Sequence, residues 1–193
     1  LWIGGARLSH IAVMTVTGVG MLVAVLSSPL LADYQRDRLT VFYDGDITDA
    51  GAGFNQGQAQ IAIGNGGFSG KGYGLGDQTR SGLVPEQETD FIFTVIGEEL
   101  GFIGSMLVLG LFGLLIWRIW RAAQLAKDSF GTLICVGILA MIIFQMFESI
   151  GMTTGMMPVT GIPLPFISFG GSSSLVSFIA IGLVMNVRMR RWQ

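Results

Sequence analysis

A chain of 193 residues, 51% hydrophobic and 12% charged, with a mean hydropathy of +0.63, is not a soluble domain, which would carry about a quarter charged residues. The formal charge of −2 hides an uneven distribution and identifies no partner. The single cysteine, Cys135, excludes an intrachain disulfide and sits in an apolar run as a small core residue.

The chain opens LWIGGARLSH, with no initiator Met, charged leader or small-residue cleavage site, and reads as a piece of a longer protein. A membrane helix needs about 20 apolar residues. Residues 11–32 are uncharged and long enough for a first span. Residues 33–89 form a large loop, too long to be structureless unless functional. In it, DYQRDRLTVF has Leu39, Val41 and Phe42 interrupting charges, as in a surface-lying segment, and GAGFNQGQAQIAIGNGG predicts a short helix around Gln56 to Ile63. Glycines at 64, 66, 67, 70, 72, 74 and 76 do not make a phosphate loop: Asn65 replaces the first required glycine, and Gly72 follows Lys71 where Ser or Thr is needed. What remains is either a loop of tight turns or a backbone anion nest with Lys71 beside it.

A second span is predicted over residues 90–117, a third over 130–150 and a fourth over 166–187, with a short connection at 151–165. The fold class is therefore all-α: a polytopic integral membrane protein with four transmembrane helices. Arg7, the group Arg118, Arg121 and Lys127, and the group Arg188, Arg190 and Arg191 fall on one side of such a chain. The positive-inside rule makes that side cytoplasmic, with both ends of the sequence there and the large loop extracytoplasmic. His10, the sole histidine, then lies on the cytoplasmic side, which removes Ser-His and Cys-His nucleophiles and histidine metal sites from the other face. Nothing in the outer loop is basic enough for nucleic acid.

The stretch VPEQETDFIFTVIGEELGFIG crowds Glu86, Glu88, Asp90, Glu98 and Glu99 at the mouth of the second span, where an unpaired charge is expensive. Thr89 or Asp90 stands where a helix cap belongs. One cap leaves the other acids unexplained. Glu86, Glu88 and Asp90 suit either a hard divalent cation or a general base. Glu98 is about 12 Å of helical rise from Asp90, and Glu99 points roughly opposite, so no glycosidase-type carboxylate pair is expected. Glu98 either packs against backbone donors or lines a polar groove. Glu148 reads as an interfacial acid reaching water. In GIPLPFISFGGSSS, Pro163 and Pro165 force extended geometry on Ile162 and Leu164, and one of Ser172 to Ser174 is positioned to cap the last helix. Broken backbone at membrane depth belongs where it lines a cavity.

Together the runs YQRDRL, GAGFNQGQAQIAIGNGG, GKG with QT, VPEQETDFIFTVIGEELG and GMMPVTGIPLPFISFGGSSS resemble the C-terminal part of the SEDS family, the RodA/FtsW/SpoVE group of bacterial cell-shape and division proteins. GMTTGMMPVTGIPLPF tilts the resemblance toward the RodA branch. Ser149, where Asn is common, and Phe169, where Tyr is common, depart from the pattern. The resemblance implies about ten spans, of which these are the last four, in the bacterial cytoplasmic membrane, and a peptidoglycan glycosyltransferase that polymerises lipid II. This stretch alone would then be inactive. Asp90 occupies the position regarded as catalytic, as base for the attacking sugar hydroxyl. Lys71, Arg80, Glu86, Glu88, Glu98 and Ser172 become substrate-binding candidates, with Lys71, Arg80 or a divalent metal (Mg or Mn, held by Glu86, Glu88 and Asp90) meeting the departing pyrophosphate. The implied partners are lipid II, a class B penicillin-binding transpeptidase and membrane lipids. A lipid II flippase and a non-enzymatic scaffold are the rival functions.

Overall fold

The structure, a computed structural model, describes residues 8–27, 52–80 and 88–190. Every regular element among them is a helix: α1 (Leu8–Ser27), α2 (Ala52–Gly66), α3 (Asp77–Arg80), α4 (Ile92–Gln124), α5 (Ser129–Thr154) and α6 (Gly171–Met189). Three of these, α4, α5 and α6, are long and apolar enough to cross a bilayer, so the chain is a polytopic all-α membrane protein. Helix α1 occupies most of the expected first span. Its described side chains are exposed, and it packs against none of the other described helices. The segment containing Leu39, Val41 and Phe42 lies outside the described residues, as does Glu86.

Helices α4 and α5 are joined by four residues, a length that makes neighbours antiparallel. Asp128 closes the turn by accepting from Gly131 N at 3.1 Å, capping α5. Along their shared face Phe93, Phe112, Ile119, Ala122, Ala123, Cys135, Leu139 and Ile142 are buried, with Leu164 from the following loop and Val184 of α6 completing the core. Cys135 is fully buried there, as its apolar run predicts.

Helix α4 is 33 residues long, longer than the span the sequence suggests, and it is broken at Gly101 (φ 65°, ψ −161°). A tertiary insertion causes the break. The glycine-rich loop enters it: Lys71 N and Gly72 N donate to Glu98 O and Glu99 O at 3.0 Å, while Phe102 N and Ile103 N donate to Gly67 O and Phe68 O at 3.0 and 3.2 Å. The loop thus satisfies the helix groups that the break orphans. A methyl group on Gly101 would run into the backbone of Ser69 and Gly70. Past the break, Phe102 to Gln124 rises about 33 Å, close to the thickness of a bilayer's hydrocarbon core.

Helix α2 is longer than the predicted segment and lies across the Asp90 end of α4 and α5. Its Ala59 packs with Phe91, Met152 and Val159 in a second small core. The last helix starts at Gly171, five residues later than expected, because residues 155–170 run as irregular backbone with Phe166 at φ 65°.

Candidate active site

The turn that leads into α4 carries Glu88, Thr89 and Asp90. Buried Phe91 and Phe93 fix it to the protein. The helix cap position falls on Phe91, which makes no side-chain cap bond, and not on Thr89 or Asp90. The irregular segment after Pro165 is stitched to the same turn, Phe169 N donating to Glu88 O at 2.8 Å. A groove of about 500 Å³ opens along this seam, lined by Glu88, Ile92, Ser168, Phe169, Gly171 and Ser174 among others. It shares Ile167 with a second, nearly wholly apolar groove of about 190 Å³, which continues along Val108, Leu111, Phe112 and Leu115 of α4 and under Phe166. Phe166 is held edge-on to Phe178 of α6 with ring centroids 5.6 Å apart.

Asp90 is half-buried on the turn beside this groove and is not one of the residues lining it. Its carboxylate lies against Gly161 (φ +77°): a methyl group built there would sit 3.1 Å from Asp90 Oδ2. The segment carrying Gly161 is pinned by polar side chains. Gln56 Nε2, on α2, donates to both Met152 O and Met157 O at 2.9 Å. Thr160 Oγ1 donates to Glu148 Oε1 at 2.9 Å. Ser168 Oγ accepts from Leu164 N at 2.8 Å, closing the turn after Pro163.

The other acids part company. Glu98 is 0% exposed, and its carboxylate accepts from Gln78 N and Thr79 N at 2.9 and 3.0 Å, the first-turn donors of α3. Of the two environments open to it, the structure places it with the backbone donors and away from both grooves. Glu148 is 5% exposed and bonded to Thr160, so it does not reach water as an interfacial acid would. Lys71 Nζ is 2.5 Å from Asp77 Oδ2 and 4.0 Å from Glu98 Oε1, so its charge is engaged within the loop. The amides of Gly70, Lys71 and Gly72 all bond to carbonyls, which removes the anion-nest reading. Arg80 ends α3 and is exposed. Ser172 is exposed in the first turn of α6 and does not line the groove, whereas Gly171 and Ser174 do. None of the serines caps α6: the cap is Gly170, and Ser173 Oγ donates to Gly170 O instead. Ser149 is fully buried, and its Oγ has no partner among the described residues. No three carboxylate, histidine or cysteine side chains converge among the described residues, so Glu88 and Asp90 do not by themselves build the oxygen cage of a divalent ion.

Sequence reading missed Gly161, Thr160 and Gln56. The signals available were a Val-Thr-Gly run just ahead of Pro163 and three glutamines, at 56, 58 and 60, in a helix rich in glycine and alanine. Neither names its partner, which for Gln56 lies 96 to 101 residues away.

Known proteins share this architecture. The chain is 42% identical over 188 residues to stage V sporulation protein E of Bacillus subtilis, covering 97% of this chain and 50% of that protein. It is 40% identical over 186 residues to the peptidoglycan glycosyltransferase MrdB of Escherichia coli K12, covering 96% and 49%. The chain thus spans about half the length of these relatives. A solved structure described as showing structural coordination of polymerization and crosslinking by a peptidoglycan synthase complex matches with a TM-score of 0.74 and 31% identity, over 96% of this chain and 50% of that one. A mutant of the Thermus thermophilus rod shape determining protein RodA matches with a TM-score of 0.53 and 28% identity, over 83% and 55%. The family model for FtsW, RodA and SpoVE, described as cell cycle proteins, matches residues 1–193. The chain belongs to the FtsW/RodA/SpoVE family of cell cycle proteins.

Proposed function

We propose that this chain is part of a peptidoglycan glycosyltransferase that polymerises lipid II in the bacterial cytoplasmic membrane, with Asp90 as general base. The observation that carries this reading is the setting of Asp90 at the head of α4, against Gly161 and beside a groove that carries Glu88, Ser168 and Ser174 and adjoins a nearly wholly apolar one. A substrate with sugars at one end and a polyprenyl tail at the other asks for that change of lining. The relatives named as peptidoglycan glycosyltransferases support the same activity.

In the proposed step, Asp90 accepts the proton of an acceptor sugar hydroxyl as its oxygen bonds to the donor's anomeric carbon. The bond from that carbon to the pyrophosphate oxygen breaks, and the lipid pyrophosphate leaves with the electron pair. Of the two candidate cations, Lys71 is already paired, which leaves Arg80 to meet the departing charge. The proposal routes no step through a metal. Four spans, an extracytoplasmic loop holding α2 and α3, and cytoplasmic ends complete the topology, on the support of the charge distribution. A class B transpeptidase is the proposed partner, on the support of the synthase-complex match.

The test is Asp90→Asn in the full-length protein. Loss of glycan polymer from lipid II, with membrane insertion and yield unchanged, is the expected result. Polymer at the wild-type level would overturn the assignment. Offering lipid II only from the extracytoplasmic side separates a polymerase from a flippase, which would leave it unpolymerised.

A further inference from the structure

Glu148 is the one buried acid of α5, and the glycosyl-transfer step above does not use it. A carboxylate near the end of a membrane helix is costly unless a partner or a function keeps it there. Its partner is Thr160 Oγ1 at 2.9 Å, twelve residues along the chain on the irregular segment. The next residue is Gly161, where an added methyl group would stand 3.1 Å from Asp90 Oδ2. The segment has little other freedom. Pro158 and Pro163 fix their own φ angles on either side, and Gln56 holds Met157 O at one end.

We propose that Glu148 is a positioning residue for Asp90, acting through Thr160 and Gly161. The proposal rests on Asp90 being the base. Glu148 anchors Thr160, Thr160 sets the height of Gly161, and Gly161 is the wall that holds the Asp90 carboxylate in place. Glu148 touches neither substrate nor reacting atom and takes no proton. What it supplies is an acceptor oxygen at a fixed point, so an uncharged amide at residue 148 does the same work.

That last clause separates positioning from proton relay. In the full-length protein, Glu148→Gln keeps an oxygen that accepts from Thr160, and polymerisation stays near wild type with an unchanged pH profile of kcat. Glu148→Leu removes the acceptor, and kcat falls about tenfold or more, the scale of a misplaced catalytic group, while KM holds. Thr160→Val, at an exposed position where misfolding is not an issue, reproduces the loss, and Thr160→Ser restores activity. The Glu148→Leu/Thr160→Val double variant is no worse than either single one. If Glu148→Gln falls as far as Glu148→Leu, the residue handles a proton and the proposal is overturned. If Thr160→Val polymerises like wild type, the anchor does not exist and the proposal is again overturned. Asp90→Asn, assayed beside them, keeps the two readings apart. An active Asp90→Asn sinks the base assignment whatever residue 148 does, whereas an inactive Asp90→Asn with a fully active Thr160→Val sinks only the anchor.

Discussion

Gly161→Ala is the most discriminating perturbation of this site. The residue sits at φ +77°, and an added methyl group would stand 3.1 Å from Asp90 Oδ2, inside the 3.4–4 Å of ordinary contact. Two costs follow. A non-glycine residue in left-handed backbone costs about 1–2 kcal/mol. The contact requires Asp90 or the loop to yield by a few tenths of an ångström. A displacement of 1 Å costs catalysis about 100-fold; scaled logarithmically, about 0.3–0.5 Å gives a four- to tenfold fall in kcat. Gly74 supplies the control. It has a similar φ of +70° with nothing within 4 Å of its added methyl, so Gly74→Ala carries the backbone cost without the collision. Thermal unfolding and lipid II polymerisation are measured on both variants in the full-length protein. Comparable loss of stability in the two, with kcat lowered only in Gly161→Ala, is the expected pattern. Equal kcat in Gly161→Ala and Gly74→Ala would refute the claim that Gly161 positions Asp90.

Glu98→Leu strands the amides of Gln78 and Thr79 and leaves Lys71 with Asp77 alone. Leaving buried donors unmade costs about 1–3 kcal/mol, and limited proteolysis should cut near α3 faster than in wild type; unchanged protection would show that the carboxylate does not hold the loop. Gln56→Leu removes both bonds that tie Met152 O to Met157 O. It should lower the unfolding temperature and kcat together, whereas a loss of stability with wild-type kcat would separate α2 from the Asp90 site.

The three long helices α4, α5 and α6 are legible in composition because bilayer length imposes an apolar run on each of them. The turn that carries Asp90 is legible because a charged turn opening a greasy helix is local in sequence. The rest is not, for a common reason: it depends on pairs distant along the chain. Nothing in EELGFIG marks Gly101 as a break until the loop around Gly70 is seen inside it. The late start of α6 follows from Phe166 at φ 65° and from Phe169 N bonding to Glu88 O, a pairing across 81 positions (169 less 88) that no periodicity encodes. Glu148 reads as a wet interfacial acid until Thr160 is found above it.

The crowding of acid at the mouth of α4 resolves once the helix is seen in two pieces. The apolar piece beyond Gly101 is long enough to cross a bilayer by itself. The piece before it is therefore free to carry charge, and the glycine loop that fills the break supplies the partners. Glu98 is satisfied by α3, and the carbonyls of Glu98 and Glu99 by the amides of Lys71 and Gly72. Glycine is required there because any side chain at residue 70 would collide with the backbone of Glu99 and Leu100. The glycine-rich run is thus the element that lets a membrane helix begin in polar surroundings. It leaves Asp90 on the turn at the head of that polar piece, with about 14 Å of helical rise from Ile92 to the break, the depth at which the proposed function needs its base.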